Sequence, residues 1–190
     1  MTADVPSQAS DETKTQSFAA DVSRLLQLMV HSVYSDRDIF VRELVSNAAD
    51  ACEKLRYQAI GKPELIEGGG PFVIEIAIDP EAKTIGFNDN GVGMSREELV
   101  DALGTIARSG TRAFLDRLAE ADAEKEAANI IGQFGIGFYS SFMVADEVVV
   151  ETRRAGAGEA WRWSSDGKGA YTIAPEIGRA SCRERVFRVV

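Results

Sequence analysis

The chain predicts a single α+β domain, and three observations carry that reading. A long helical pattern of apolar residues precedes residue 61, an alternating apolar and polar run with a turn follows it, and closely spaced strand-like segments come last. At 190 residues the chain can hold one domain with a proper core but not two large ones. No internal repeat is present.

Residues 1–16 are polar and acidic and read as a disordered tail. A short strand is expected at 17–20. Asp21 then caps a helix through Leu25, Leu26, Leu28, Met29 and Val33. Ser35 and Asp36 restart a second helix whose apolar positions Ile39, Phe40, Leu44, Ala48, Ala51 and Leu55 share one face. It stops before Gly61-Lys62-Pro63. A strand at 72–78 alternates, turns at 79–83 and returns at 84–87. Ser95 with Glu98 three residues on reads as a capping box. The segment 103–137 mixes glycines with a helical stretch and an acidic, alanine-rich one, which is expected of a flap over a site. A helix at 138–143 and strands at 147–153, 159–164 and 169–173 complete the domain, 17–176.

Composition bounds the function. A net charge of −9 argues against a nucleic-acid surface. Cys52 and Cys182 are too few for a disulfide framework, which points to a reduced, cytoplasmic setting. No secretory signal and no membrane-length apolar run is present. His31 is the single histidine, so multi-histidine metal sites are excluded.

Three motifs remain. Glu43, Asn47 and Asp50, at about 100° per residue, fall within an arc of about 60° on one helix. They read either as a polar flank or as a site in which Asn47 gives an amide oxygen to Mg²⁺ and Glu43 activates water. Asp89-Asn-Gly-Val-Gly-Met94 is either a plain turn or, through Gly91 and Gly93, a place where a flat base meets the backbone while Asp89 accepts from its exocyclic amine. Gly132-Gln-Phe-Gly-Ile-Gly137 precedes a helix, which suits an anion, although a helix-packing cluster has the same pattern. It is neither a Walker A loop nor a dinucleotide fingerprint. Arg108, Ser109 and Thr111 beside Gly110 read as a surface loop or as phosphate contacts. Together the motifs make a candidate ATP-hydrolysing site.

LMVHSVYS at 28–35, IFVRELVSNAADA at 39–51, LGTIARSGT at 103–111 and IGQFGIGFYS at 131–140 resemble the ATP-binding domain of the heat-shock protein 90 chaperones, most closely the bacterial form. The resemblance runs from about residue 18 to about residue 176. It implies a two-layer α/β sandwich of the Bergerat (GHKL) type, a mostly antiparallel sheet covered by helices on one face. That fold is shared with gyrase B, mismatch-repair and histidine-kinase ATPase domains.

Carried residue by residue, the resemblance makes Glu43 the general base, Asn47 the Mg²⁺ ligand and Asp89 the adenine reader. Val92, Gly93, Met94 and Thr172 would line the base pocket, and Asp50, Ala51 and Lys54 would flank the nucleotide. Leu103, Ser109 and Gly110 belong to a lid over ATP or ADP at about 103–137. Gln133, Phe134, Gly135, Ile136, Gly137 and Phe138 form the phosphate loop, and residues 17–20 match a strand exchanged between protomers.

The resemblance further implies a homodimer acting on unfolded or partly folded clients in the full-length protein, with no nucleic acid and no membrane. This chain alone is expected to be a monomer that hydrolyses ATP slowly, because the family's middle domain supplies an arginine and its C-terminal domain the dimer. Two departures stand out. Ala102 replaces an asparagine of many eukaryotic members. Residues 177–190, with four arginines against one glutamate, read as an atypical, non-native tail that ends a truncated read. Whether 186–190 can serve as a strand stays open. A DNA-topology or repair ATPase is disfavoured by charge and by the sequence at 103–111. A histidine kinase is disfavoured by Glu43. A nucleotide-binding fragment without turnover is the remaining alternative.

Overall fold

The structure, a computed structural model, describes residues 13–17, 38–104, 137–176 and 185–189, with backbone alone at 17 and 185–189. The helix expected through Leu25 to Val33, and nearly all of the expected flap, lie outside the described residues.

Helix α1 spans Ile39–Gly61 and buries Phe40, Leu44, Ala48, Ala51, Cys52, Leu55 and Ala59 along one stripe. Its end follows from Pro63, which has no amide hydrogen to extend the helix and instead opens the 3₁₀ turn Pro63–Leu65. Strands β2 (Ile74–Asp79) and β3 (Thr84–Asp89) form the expected hairpin. β2 starts two residues later than the sequence suggests. There Val73 N–H donates to Asn90 Oδ1 at 2.8 Å, and Asn90 Nδ2 donates to the Pro71 carbonyl, so a side chain replaces the ladder.

Helix α2 (Arg96–Leu99) begins with both halves of the expected capping box. A π-helical segment, Val100–Gly104, continues it. Beyond the undescribed stretch come the 3₁₀ helix Gly137–Met143 and strands β4 (Val148–Arg153), β5 (Ala160–Ser165) and β6 (Ala170–Pro175). The 3₁₀ helix is tightened by two buried serines that bond back to carbonyls, Ser140 Oγ to Gly137 and Ser141 Oγ to Phe138.

Among the described residues one antiparallel sheet forms, ordered β1-β6-β5-β4-β7-β3-β2. One strand corrects the sequence reading and another answers what it left open. β1 is Lys14–Ser17, so Lys14 to Gln16 lie in the sheet and not in a tail, while residues 18–20 of the expected strand lie outside the described residues. Backbone pairing with β6 places this polar segment, and Tyr171 Oη donates to Gln16 Oε1 at 2.8 Å. Strand β7 (Arg185–Val189), drawn from the atypical terminus, pairs with both β3 and β4. Val186, Phe187 and Val189 are residue types that suit such a position.

Alternation divides the sheet into two faces. Phe87, Val148, Val150, Trp163, Tyr171 and Ile173 pack with Phe40 and Leu44 of α1, with Leu99, and with Phe138 and Tyr139. Each such fully buried large side chain contributes about 1.5–3 kcal/mol. On the other face Arg162 pairs with Glu151 at 2.9 Å, and the Ser164 and Thr172 hydroxyls bond at 2.7 Å. Helices on one face and polar groups on the other give the two-layer sandwich.

Tyr139 is sealed in this core, where its hydroxyl donates to the Leu103 carbonyl at 2.8 Å. Burial, and secondarily the nearby Tyr171, push the Tyr139 phenol far above its ordinary value of 10.0. Above that value the unfolded chain releases a proton that the folded chain keeps, so stability falls as pH rises. Unfolding free energies from urea melts should decline above pH about 10. Tyr139→Phe should cost about 1 kcal/mol at neutral pH and decline less steeply, since it removes the Tyr139 phenol and leaves that of Tyr171, which burial also pushes up.

Candidate functional site

One cavity of about 480 Å³ opens between α1 and the segments that follow β3. From α1 it takes Asn47, Asp50, Ala51, Lys54 and Gln58, a stripe at helical spacing. Val92, Gly93 and Met94 form a second wall, Glu98, Ala102 and Leu103 a third, and Phe138 and Arg154 complete the lining.

The wall 91–94 is held by backbone. Val92 N–H donates to the Ala51 carbonyl at 3.0 Å, and the Val92 carbonyl accepts from Ala155 N–H at 2.9 Å. Met94 N–H donates to Oγ1 of the buried Thr152 at 3.0 Å. The glycines follow from this closeness. A Cβ on Gly91 would stand 2.6 Å from the Ala51 carbonyl carbon, and one on Gly93 would overlap the Arg153 carbonyl oxygen. Gly93 also has φ +61, a left-handed conformation that glycine adopts without strain. Asp89 lies behind this wall, 2% exposed, with Oδ1 accepting Gly91 N–H at 2.9 Å.

Glu43 sits one turn before Asn47, its side chain 16% exposed. Its Oε1 pairs with Arg42 at 3.1 Å, and its Oε2 occupies the space that a Cβ on Gly137 would fill. The carboxylate therefore rests on Gly137, the last glycine of the glycine-rich segment.

Comparisons with known proteins show the family. Residues 34–174 match the family described as histidine kinase-, DNA gyrase B-, and HSP90-like ATPase. The chain belongs to this ATPase family. It is 61% identical over 94% of its length to the chaperone protein HtpG of Mesorhizobium japonicum. It is 58% identical over 92% to that of Nitrobacter hamburgensis, and 60% identical over 96% to that of Azorhizobium caulinodans. The chain spans about 28% of the length of each of these relatives.

Of the residues marked in the sequence, Asn47, Asp50, Ala51, Lys54, Val92, Gly93, Met94, Leu103 and Phe138 line this cavity. Glu43, Asp89 and Gly137 adjoin it as described. Thr172 does not reach it. Its neighbours Tyr171 and Ile173 face the core, so strand alternation turns Thr172 to the opposite face, onto Ser164. The threonine that meets the turn is Thr152. Ser109, Gly110, Gln133, Phe134, Gly135 and Ile136 lie outside the described residues.

Sequence reasoning missed Gln58, Glu98, Thr152 and Arg154. Extending the α1 stripe by one turn from Lys54 finds Gln58, whereas no local signal marks Thr152 or Arg154.

The two glycines predict different responses. At Gly93 an added Cβ meets backbone and a left-handed φ, so Gly93→Ala should cost about 2–4 kcal/mol. At Gly137 it meets the end of the Glu43 side chain, which can swing aside, so Gly137→Ala should cost less than about 1 kcal/mol. Thermal denaturation of both variants checks this, and equal losses would contradict it.

Proposed function

We propose that the cavity binds ATP with Mg²⁺ and that these residues form the ATP-hydrolysing domain of a molecular chaperone. The observation that carries this reading is the placement of Glu43 and Asn47 on successive turns of α1, with the Glu43 carboxylate against Gly137 and Asn47 on the cavity wall. A water-activating carboxylate and a neutral amide donor stand next to the end of a glycine-rich anion loop. The family is one of ATPases, and the relatives named above are chaperones.

At the base end, an ionised Asp89 has acceptor capacity beyond the Gly91 amide, enough for an adenine amine. Val92 and Met94 supply apolar surface for the ring, and Gly93 permits close approach. At the other end, Glu43 accepts a proton as water oxygen bonds to the γ-phosphorus and the bond to the β,γ-bridging oxygen breaks. The donor set fits Mg²⁺ held mostly by phosphate and water. Among the described residues no group of three or more His, Cys, Asp or Glu side chains could hold a metal, and Asn47 offers one hard, neutral oxygen. Asn47 would hold the ion through its amide oxygen, and the ion would supply positive charge against the charge that develops on the phosphates.

On the same reading the longer protein works as a homodimer on unfolded or partly folded clients in the cytoplasm. These 190 residues alone bind ATP as a monomer. Their turnover is slow, because an arginine brought to the γ-phosphate from outside is worth ~10³–10⁵ in rate. Among the described residues no helix is long and apolar enough to cross a membrane.

Asp89→Asn retains an oxygen for Gly91 N–H but is a poorer acceptor for an amine. Calorimetry should show ATP affinity falling tenfold to hundredfold, about 1.5–3 kcal/mol. Unchanged affinity would remove Asp89 from base recognition. Glu43→Ala should bind ATP within about twofold of the parent and lose single-turnover hydrolysis, since the carboxylate acts on water and not on the bound nucleotide. Hydrolysis at the parent rate would reduce Glu43 to a polar flank of α1.

A further inference from the structure

Three elements meet at one guanidinium. Arg154, the residue after β4, places Nη1 3.1 Å from Glu98 Oε1 and 3.5 Å from the Gly93 carbonyl oxygen. Its Nη2 lies 3.4 Å from Gln58 Oε1. All four residues line the cavity. Glu98 is engaged at its other oxygen as well, since Oε2 accepts Ser95 N–H at 2.8 Å in the capping box. The guanidinium thus links the far end of α1, the Gly91–Met94 wall and the start of α2, from which Ala102 and Leu103 follow.

Stability does not explain this placement. Arg154 is 30% exposed and Glu98 45%, and ion pairs so exposed add little to folding free energy. Orientation explains it better. The turn's amides are fixed by Ala51 and Thr152, and Arg154 faces the carbonyl between them. A planar fork with several donors in fixed directions can hold a carboxylate, an amide oxygen and a carbonyl together, which a lysine ammonium cannot do in the same geometry.

The position along α1 also matters. Gln58 lies 11 residues beyond Asn47, about 16 Å along the helix, so Arg154 is remote from the phosphate end.

We infer that Arg154 is a positioning residue for the base end of the cavity. It acts through Gly93 and Glu98 and touches no reacting atom. The inference rests on the nucleotide reading above, and it adds that affinity for the adenosine moiety depends on the Arg154–Glu98 pair while Mg²⁺-dependent phosphate binding does not.

Calorimetry on the full 190-residue chain, well below its unfolding temperature, tests this with ADP and adenosine, each with and without Mg²⁺. Arg154→Ala should weaken ADP and adenosine alike by about tenfold, with the effect of Mg²⁺ on ADP affinity unchanged. Arg154→Lys should recover only part of the loss. Glu98→Gln can still close the capping box but loses the charge, so it should weaken both ligands as well. The double variant Arg154→Ala/Glu98→Gln should bind no more weakly than Arg154→Ala alone.

Parent affinity in Arg154→Ala, with only a lower melting temperature, would overturn the inference and leave a structural brace. A changed Mg²⁺ effect would overturn it by placing Arg154 at the phosphates. Should Arg154→Ala not fold, unchanged affinity in Glu98→Gln overturns it equally. A parent chain that binds neither ligand would instead overturn the nucleotide reading and this inference with it, an outcome visible before any variant is made.

Discussion

Val92 is bonded through its amide to the middle of a helix and through its carbonyl to the chain leaving a strand. The cavity exists because of this. A carbonyl has two lone pairs, so Ala51 can accept from Val92 without giving up its place in α1. Once both bonds form, the turn stands between helix and sheet at a separation that excludes side chains, and Gly91 and Gly93 become obligatory. Met94 is then directed inward by its amide bond to Thr152, which puts a large apolar group on the cavity wall. A glycine-rich turn that looks flexible in sequence is among the most constrained parts of the fold.

Charge sets a second condition. The chain carries a net −9, and on the cavity wall Asp50 and Glu98 offset Lys54 and Arg154. Among the described residues, side chains on this wall therefore offer a polyphosphate no net attraction. On the proposed reading its neutralisation falls to backbone amides and a divalent ion, so carboxylates are tolerable beside the base and ribose and, in the case of Glu43, useful beside water. Among the described residues, Arg154 is the guanidinium on the wall, and it is committed to Glu98 and to the turn.

What the sequence made legible were local rules. The α1 stripe, the hairpin and the Ser95–Glu98 capping box each follow from spacing within a few residues, and all three form, the hairpin with shifted strand bounds. The motifs that meet at the cavity were legible for the same reason, since Asn47, Gly93 and Met94 announce themselves by neighbours. Thr152 and Arg154 were not, because their partners lie 58 and 61 residues away and nothing near them in sequence marks either one. Thr172 failed in the opposite way. A resemblance placed it in the base pocket, but the alternation set by Tyr171 and Ile173 carries its side chain to the far face. β1 and β7 share a further cause. Backbone pairing recruits them, and pairing leaves no mark on a short polar or arginine-rich segment.

A single rigid helix spans the whole site. Glu43 and Asn47 lie towards one end of α1 and Lys54 and Gln58 towards the other, with about 16 Å between Glu43 and Lys54. The groups proposed to read the base are anchored near the second pair and the carboxylate proposed to activate water near the first, on Gly137. Because a helix in a packed core moves as a unit, the two ends keep a fixed separation while each is held by different partners. Val92 and Ala155 hold one, and the 3₁₀ helix that begins at Gly137 holds the other. Binding and hydrolysis can then be altered independently. On the proposed reading, the turn held by Val92 and Ala155 governs affinity for the base, and the carboxylate resting on Gly137 governs the attack of water.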